Sequence, residues 1–466
     1  MRKILCLILL GAFPLPIIPG RTLTPAWAQA QSVASVAPAR TPAELRREAF
    51  DIVWTTVKEK HFDPTFGGVD WDQVRQKYRP RLDAITTDQE FYDLLQQMLG
   101  ELRQSHFNIY PPGTFIEEES SEHAGAGVGL DLRILDGQAV ITRVEPDSAA
   151  ARAGLRPGFI LLQIEDTPVE RIKERFASSR EPDARRTLRL VRALRDRLLG
   201  RAGTSVRLVY LDEQDRQREV VLVRQPLKGE MSPPLGNFPS QYTEFEARRL
   251  AGGIGYIRFN VFVVPLMEKI RAAIRAMSDA PGLIFDLRGN PGGIGGMAPG
   301  IAGLLETRQL SLGRMNMRTG YQNFVVFPQP NPYTGPVVIL IDGGSGSTTE
   351  IFAAGLQEIG RAIVIGERSL GAALPSIFHR LPTGALFQYA IADFITPRGT
   401  MLEGRGVVPD IEIRLTRRAL LDGGDPALEA AIEYLQKHRK SSRRMNTDRL
   451  TRSVSHKSVS IRGHLW

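Results

Sequence analysis

Cysteine is all but missing from this chain: Cys6 is the one residue of its kind in 466. It sits in the apolar run that opens the sequence, so a product trimmed behind that run carries no thiol. Disulfides, a thiol nucleophile and cysteine-ligated metal are then excluded. Histidine is scarce as well, with seven residues, and none has a metal-ligand partner at helical spacing. No metal and no cofactor are expected. A segment long enough to span a membrane is also lacking at the start: the run from Ile4 to Ile18 is broken by Pro14 and Pro16 and falls short of the roughly 20 residues a spanning helix needs. With Arg2 and Lys3 ahead of it and Ala28-Gln29-Ala30 behind, it reads as a signal peptide over residues 1–30, cleaved after Ala30. The expected location is therefore periplasmic or secreted, with no stable membrane span.

Acidic residues are in deficit overall, with a formal charge of +9, but the excess is confined to the ends. Residues 1–30 carry three cations and no acid, and residues 437–466 carry nine Lys and Arg against Asp448, which leaves −2 for residues 31–436. A basic core is thus absent and no nucleic-acid partner is expected; residues 437–466 read as a basic disordered tail. What the chain does have is length for two or three domains, with 42% hydrophobic and 24% charged residues, as in soluble globular proteins.

After a loose Ala/Pro/Ser linker, Thr41-Pro42-Ala43-Glu44 offers an N-cap, a proline at the first helical position and an acid in the first turn. Helical periodicity continues through Trp71–Leu82 and Asp88–Leu102, ending at Gln104-Ser105-His106-Phe107. A strand-rich stretch follows, in which Gly125–Arg133 and Ala139–Val144 precede Pro146-Asp147-Ser148-Ala149-Ala150 and Ala153–Gly158. A long arginine-rich helical stretch, Val169–Leu199, leads to a strand at Ser205–Tyr210. From Gly253 strands and helices alternate, which argues an α/β layer: strands at Gly255–Phe259, Gly282–Leu287 and Val337–Ile341, and helices at Pro265–Met277 and Ile351–Ile359.

The stretch Gly125–Gly158 resembles a PDZ domain of the bacterial protease type. That resemblance makes Gly127-Val128-Gly129-Leu130 the loop whose amides receive a peptide carboxylate, with the next strand pairing with the peptide. Phe159 departs from the pattern, standing where an Asp usually follows the glycine.

The richest segment chemically is Asp342-Gly343-Gly344-Ser345-Gly346-Ser347-Thr348-Thr349-Glu350, a glycine-rich turn between a strand and a helix. A hydroxyl there projects into a cleft, with helix N-terminal amides aimed at any developing oxyanion. Together with Asp286-Leu287-Arg288-Gly289-Asn290-Pro291-Gly292-Gly293, it makes residues 45–415 resemble the C-terminal processing (tail-specific) serine protease family. The resemblance implies Ser347 as nucleophile, with oxyanion-hole amides from Gly292 or Gly293 and from Thr348. Where many members place a lysine base, this chain has Ala372, and the neighbouring Arg368 stays protonated and cannot serve. On that point it is similar to the tricorn core protease, whose Ser-His-Ser-Glu tetrad implies His106 as base, with Ser105 and Glu403 orienting it.

The expected fold is multi-domain α+β: residues 31–118 a linker and N-terminal helical segment, 119–226 PDZ-like, 227–418 an α/β (crotonase-like/ClpP-like) serine protease core, and 419–436 a C-terminal helix. The implied function is endoproteolysis or tail trimming of polypeptides with accessible C-termini. The alternatives are a catalytically inactive PDZ-containing peptide-binding protein, since the family lysine is Ala372, and, more remotely, a retinoid- or lipid-binding relative of the same core.

Overall fold

The structure is a computed structural model that describes residues 40–114, 125–177 and 182–438. The expected signal peptide with Cys6 and nearly all of the expected basic tail lie outside the described residues, as does His123.

The N-terminal segment is helical: Pro42–Lys60, Trp71–Tyr78 and Asp88–Gly100. The second helix stops short of the expected Leu82 because Pro80 follows, and a 3-10 turn, Arg79–Ala84, completes the stretch. The third begins with a capping box in which Thr87 and Glu90 satisfy each other's free amides. These helices bury Phe50, Phe91, Leu95 and Met98 against Leu374, Leu381, Phe387 and Ala390, which belong to the far end of the chain. The strand Asn108–Tyr110, just past the helices, pairs antiparallel with Leu386–Ala390.

The expected PDZ-like region is a separate sheet built from Leu130–Leu135, Gln138–Val144, Ile160–Ile164, Ser205–Leu211 and Gln217–Val223. The strand-rich opening Gly125–Arg133 is divided at Gly129, whose φ of +76° turns the chain between Ala126–Gly127 and Leu130. The expected single helical stretch is two helices, Val169–Ala177 and Asp183–Leu198, flanking undescribed residues. Phe159 is a core residue here, stacked on Tyr210 at 5.5 Å between centroids, so the departure noted in its turn serves packing.

The largest domain is built on a six-stranded sheet in the order Phe245–Arg249, Gly255–Phe259, Leu283–Asp286, Val337–Ile341, Ala362–Gly366, Ile411–Glu412; the first pair is antiparallel and the rest parallel. Alternate residues serve its two faces. Phe285, Ile339, Ile341 and Val364 pack under the helices Val264–Ala276 and Thr348–Glu358. Ile284, Val338, Leu340 and Ile365 meet Ala427, Ala431 and Leu435 of the helix 426–438. Two neighbouring central strands, Leu283–Asp286 and Val337–Ile341, run parallel and release their chains at the same edge, where α/β sheets place ligands.

Candidate active site

The turns that leave those two strands are laced together by polar contacts. Asp342 Oδ1 accepts from the Gly289 N–H at 2.8 Å and the Gly344 N–H at 2.9 Å. Ser345 Oγ donates to the Leu287 carbonyl at 2.8 Å. Thr349 Oγ1 donates to the Asn290 carbonyl at 3.0 Å, and Thr348 Oγ1 to the Gly293 carbonyl at 2.8 Å. The result is a rigid cradle with Ser347 at its rim, half-buried at φ +52° and ψ −120°. A non-glycine residue holds such a conformation only where its surroundings over-determine it.

The glycines opposite are sterically required. A Cβ on Gly292, at φ +102°, would stand 2.7 Å from the Ser347 Cβ and from the Thr348 N; one on Gly293, at φ +137°, would stand 2.3 Å from the Phe262 carbonyl oxygen. Of the two expected oxyanion-hole amides in this turn, that of Gly292 is turned inward and donates to Asn290 Oδ1 at 2.9 Å. The Gly293 N–H has no partner among the described residues, nor has the Thr348 N–H.

His106 arrives from the other end of the chain. Ser105 and Glu403, separated by 298 positions, meet twice: Glu403 Oε1 accepts from the Ser105 N–H at 2.8 Å, and Oε2 from its hydroxyl at 2.7 Å. Ser105 Oγ lies 2.7 Å from His106 Nδ1. The tautomer follows by elimination. The single Ser105 hydroxyl proton goes to the carboxylate, which can only accept, so Nδ1 must carry a proton and donate to Ser105 Oγ; Nε2 then keeps its lone pair. Loss of water around the ring, and to a smaller extent the Arg185 guanidinium, lower the His106 pKa to about 4, so the imidazole is neutral at ordinary pH. His106 also has a positive φ, +60°.

The two halves meet at Ala372-Ala373. The Ala372 carbonyl accepts from the Ser347 N–H at 2.8 Å, and the Ala373 N–H donates to Glu403 Oε2 at 3.1 Å. This dipeptide, where the resemblance called for a lysine, is buried and contributes backbone only. Arg368 is exposed.

Other groups escaped the sequence reading. His61 is fully buried, stacked on Phe107, and its Nε2 lies 2.8 Å from Gln104 Oε1, so it braces the loop that carries Ser105 and His106. Arg185, from the PDZ helix Asp183–Leu198, donates to the Arg103 carbonyl in that same loop at 3.0 Å. Glu350, fully buried, accepts from the Ser347 N–H at 3.0 Å; its place three residues after Ser347 was the available signal. His379 is exposed, on the strand Ser376–Arg380, and the His438 ring lies tilted against Tyr434, 4.1 Å between centroids. Among the described residues no cluster of His, Cys, Asp or Glu could hold a metal ion.

In the PDZ loop, the Val128 carbonyl accepts from the Ala150 N–H at 3.0 Å and the Gly129 carbonyl from the Glu145 N–H at 2.8 Å. A Cβ on Gly129 would overlap Ser148 at 2.2 Å. Gly127 is strand-paired to Gln225, and Leu130 opens the strand along the expected peptide groove.

The fold and its cradle define a serine-type peptidase core joined to a PDZ domain. In comparison with known families, peptidase family S41 matches residues 253–413, the tricorn protease C1 domain residues 42–100, and a PDZ domain residues 140–192. The chain resembles carboxyl-terminal-processing proteases and tricorn protease homologues along most of its length. It is 25% identical over 389 residues to a carboxyl-terminal-processing protease of Synechocystis, covering 82% of this chain and 83% of that protein. It is 28% identical over 407 residues to tricorn protease homolog 1 of Streptomyces coelicolor, covering 84% of this chain but 35% of that much longer relative. Among solved structures it shares the fold of the photosystem II D1 C-terminal processing protease, with a TM-score of 0.53 at 21% identity over 82% of this chain and 98% of that one. It shares it also with mature CPAF, with a TM-score of 0.57 at 17% identity over 85% and 97%.

Proposed function

We propose that this protein cleaves polypeptides near their C-termini by acyl-enzyme chemistry, with Ser347 as nucleophile and His106 as general base. The observation that carries this reading is the unbroken hydrogen-bond path Glu403–Ser105–His106 set beside the same Ala372-Ala373 dipeptide that holds the Ser347 backbone. His106 Nε2 takes the Ser347 proton as Oγ attacks the scissile carbonyl, then returns it to the leaving amine. Glu403 acts through Ser105 to fix the ring, and the Gly293 and Thr348 amides receive the oxyanion. Ala372 therefore does not leave the serine without a base, which argues against a binding protein that has lost catalysis. The PDZ loop Gly127–Leu130 supplies recognition of the free chain end, so the partner class is polypeptide with an accessible C-terminus. Among the described residues no helix is long and apolar enough to cross a membrane, and the Arg2-Lys3 head with its apolar run supports export.

The test is cleavage of an unfolded polypeptide followed by mass spectrometry of the products. Wild type should yield C-terminal fragments, Ser347→Ala none, and amidation of the substrate end should lower the rate. Identical products from Ser347→Ala would refute the assignment of the nucleophile.

A further inference from the structure

Glu350 is a buried carboxylate that the proton transfers at Ser347 and His106 do not use. Four donors converge on it. Oε1 accepts from the Ser369 hydroxyl at 2.5 Å and the Gly371 N–H at 2.8 Å; Oε2 accepts from the Ala372 N–H at 2.9 Å and the Ser347 N–H at 3.0 Å. Three of these are backbone N–H groups and cannot reverse. The Ser369 hydroxyl is also directed, because its oxygen accepts the Val407 N–H at 2.6 Å, leaving its one proton for Glu350. The groups facing the carboxylate from its own helix and from the 369–372 loop are thus all uncharged donors, and no charged side chain pairs with it among the described residues. Such a setting asks for an acceptor-only, ionised carboxylate, and the N-terminus of the helix Thr348–Glu358 favours the same charge.

We propose that Glu350 is the positioning residue of this site: ionised, it helps hold Ser347 in its positive-φ conformation and, beside the Ala372 carbonyl that shares the Ser347 N–H, ties it to Gly371-Ala372, and protonated, it weakens that tie. The proposal rests on the Ser347–His106 reading of the activity. Burial opposes the four hydrogen bonds and raises the Glu350 pKa to about 7, whereas His106 stays neutral down to about 4. Activity lost as the pH falls through neutrality then reports Glu350, and the imidazole limits the rate only in much more acidic solution.

The experiment is a set of pH–rate profiles for the full chain on a fluorogenic peptide with a free C-terminus, for wild type, Glu350→Gln and Ser369→Ala. Glu350→Gln should lower kcat on the order of 10- to 100-fold at about pH 8 with little change in KM, as expected for a displaced nucleophile, and its profile should lose the acid limb near neutrality. Ser369→Ala removes a donor that stabilises the charged form, so it should move that limb to higher pH. Glu350→Gln with a wild-type limb, or Ser369→Ala with a limb unmoved or shifted down, overturns the proposal. Should Glu350→Gln fail to fold, Ser369→Ala decides alone. Thermal melts supply a readout that needs no catalysis: a carboxyl raised in the folded state binds its proton more tightly there than in the unfolded chain, so wild type should gain stability relative to Glu350→Gln as the pH falls from about 7 toward about 5. A constant difference overturns the titration. A wild type inert toward peptide and toward a serine-reactive probe refutes the peptidase reading itself, whereas an active wild type with a limb unmoved by both variants refutes only the role of Glu350.

Discussion

Ser105 joins the His106 imidazole to the Glu403 carboxylate, and under the proposed mechanism this sets what each substitution should do. Ser105→Ala removes the acceptor for His106 Nδ1–H while leaving ring and carboxylate in place. The proton can then sit on either nitrogen, and kcat should fall roughly 10- to 100-fold with KM little changed in steady-state kinetics. Glu403→Gln should leave measurable activity, because the amide oxygen can still accept the Ser105 hydroxyl proton; its nitrogen, however, cannot accept the Ser105 N–H now bound to Oε1. Equal and complete loss in both variants would mean that the carboxylate does more than orient. At this scale the sequence pointed, through family pattern, to Ser105, His106 and Glu403, which hydrogen bonds join in the structure, and to Ser347, whose role belongs to the proposal. It was not legible for Glu350 or His61, because burial and partner geometry decide whether an ordinary Glu or His has a task, and neither is written in the local pattern.

Elements position these residues, and the turn after the strand Leu283–Asp286 leaves little room for added atoms. Gly293→Ala would force a Cβ into the Phe262 carbonyl; overlap of this kind costs about 1–3 kcal/mol, and activity should fall with stability. Gly295→Ala is the matched control, since its Cβ would meet the Phe324 ring at an ordinary 3.5 Å. Thermal melts of the two variants should separate clearly, and similar melting points would show that the turn relaxes. Strand and helix positions were readable from hydrophobic runs and caps, as with Thr41-Pro42-Ala43-Glu44 at the start of the helix Pro42–Lys60. The pairing of Asn108–Tyr110 with Leu386–Ala390 was not, because nothing local marks a contact between such distant segments.

Over the whole molecule, each part leans on another's residues. Arg133, on the PDZ strand Leu130–Leu135, reaches Glu367 at 2.6 Å and Asp342 at 3.4 Å, so the strand beside the expected peptide groove is tied to the turn that carries Ser347. The group is partly exposed, and Arg133→Ala should cost about 3 kcal/mol or less in a denaturant melt, mostly through the carboxylates left unpaired. A neutral result would mean that water replaces the guanidinium. The N-terminal helices share their core with the hairpin Ser376–Ala390, so Phe387→Ala should destabilise the chain by about 3–5 kcal/mol and weaken activity by loosening the seat of the His106 loop.

The central claim is that a base from the N-terminal segment and a nucleophile from the core form one site. Its most direct test is the rate at which a fluorophosphonate modifies wild type, His106→Ala and Ser347→Ala, with the adduct located by mass spectrometry. The account predicts an adduct on Ser347 in wild type, none there in Ser347→Ala, and modification slowed on the order of 10²-fold or more in His106→Ala, because a serine hydroxyl is a weak nucleophile without a base to take its proton. Modification of His106→Ala at the wild-type rate would contradict it.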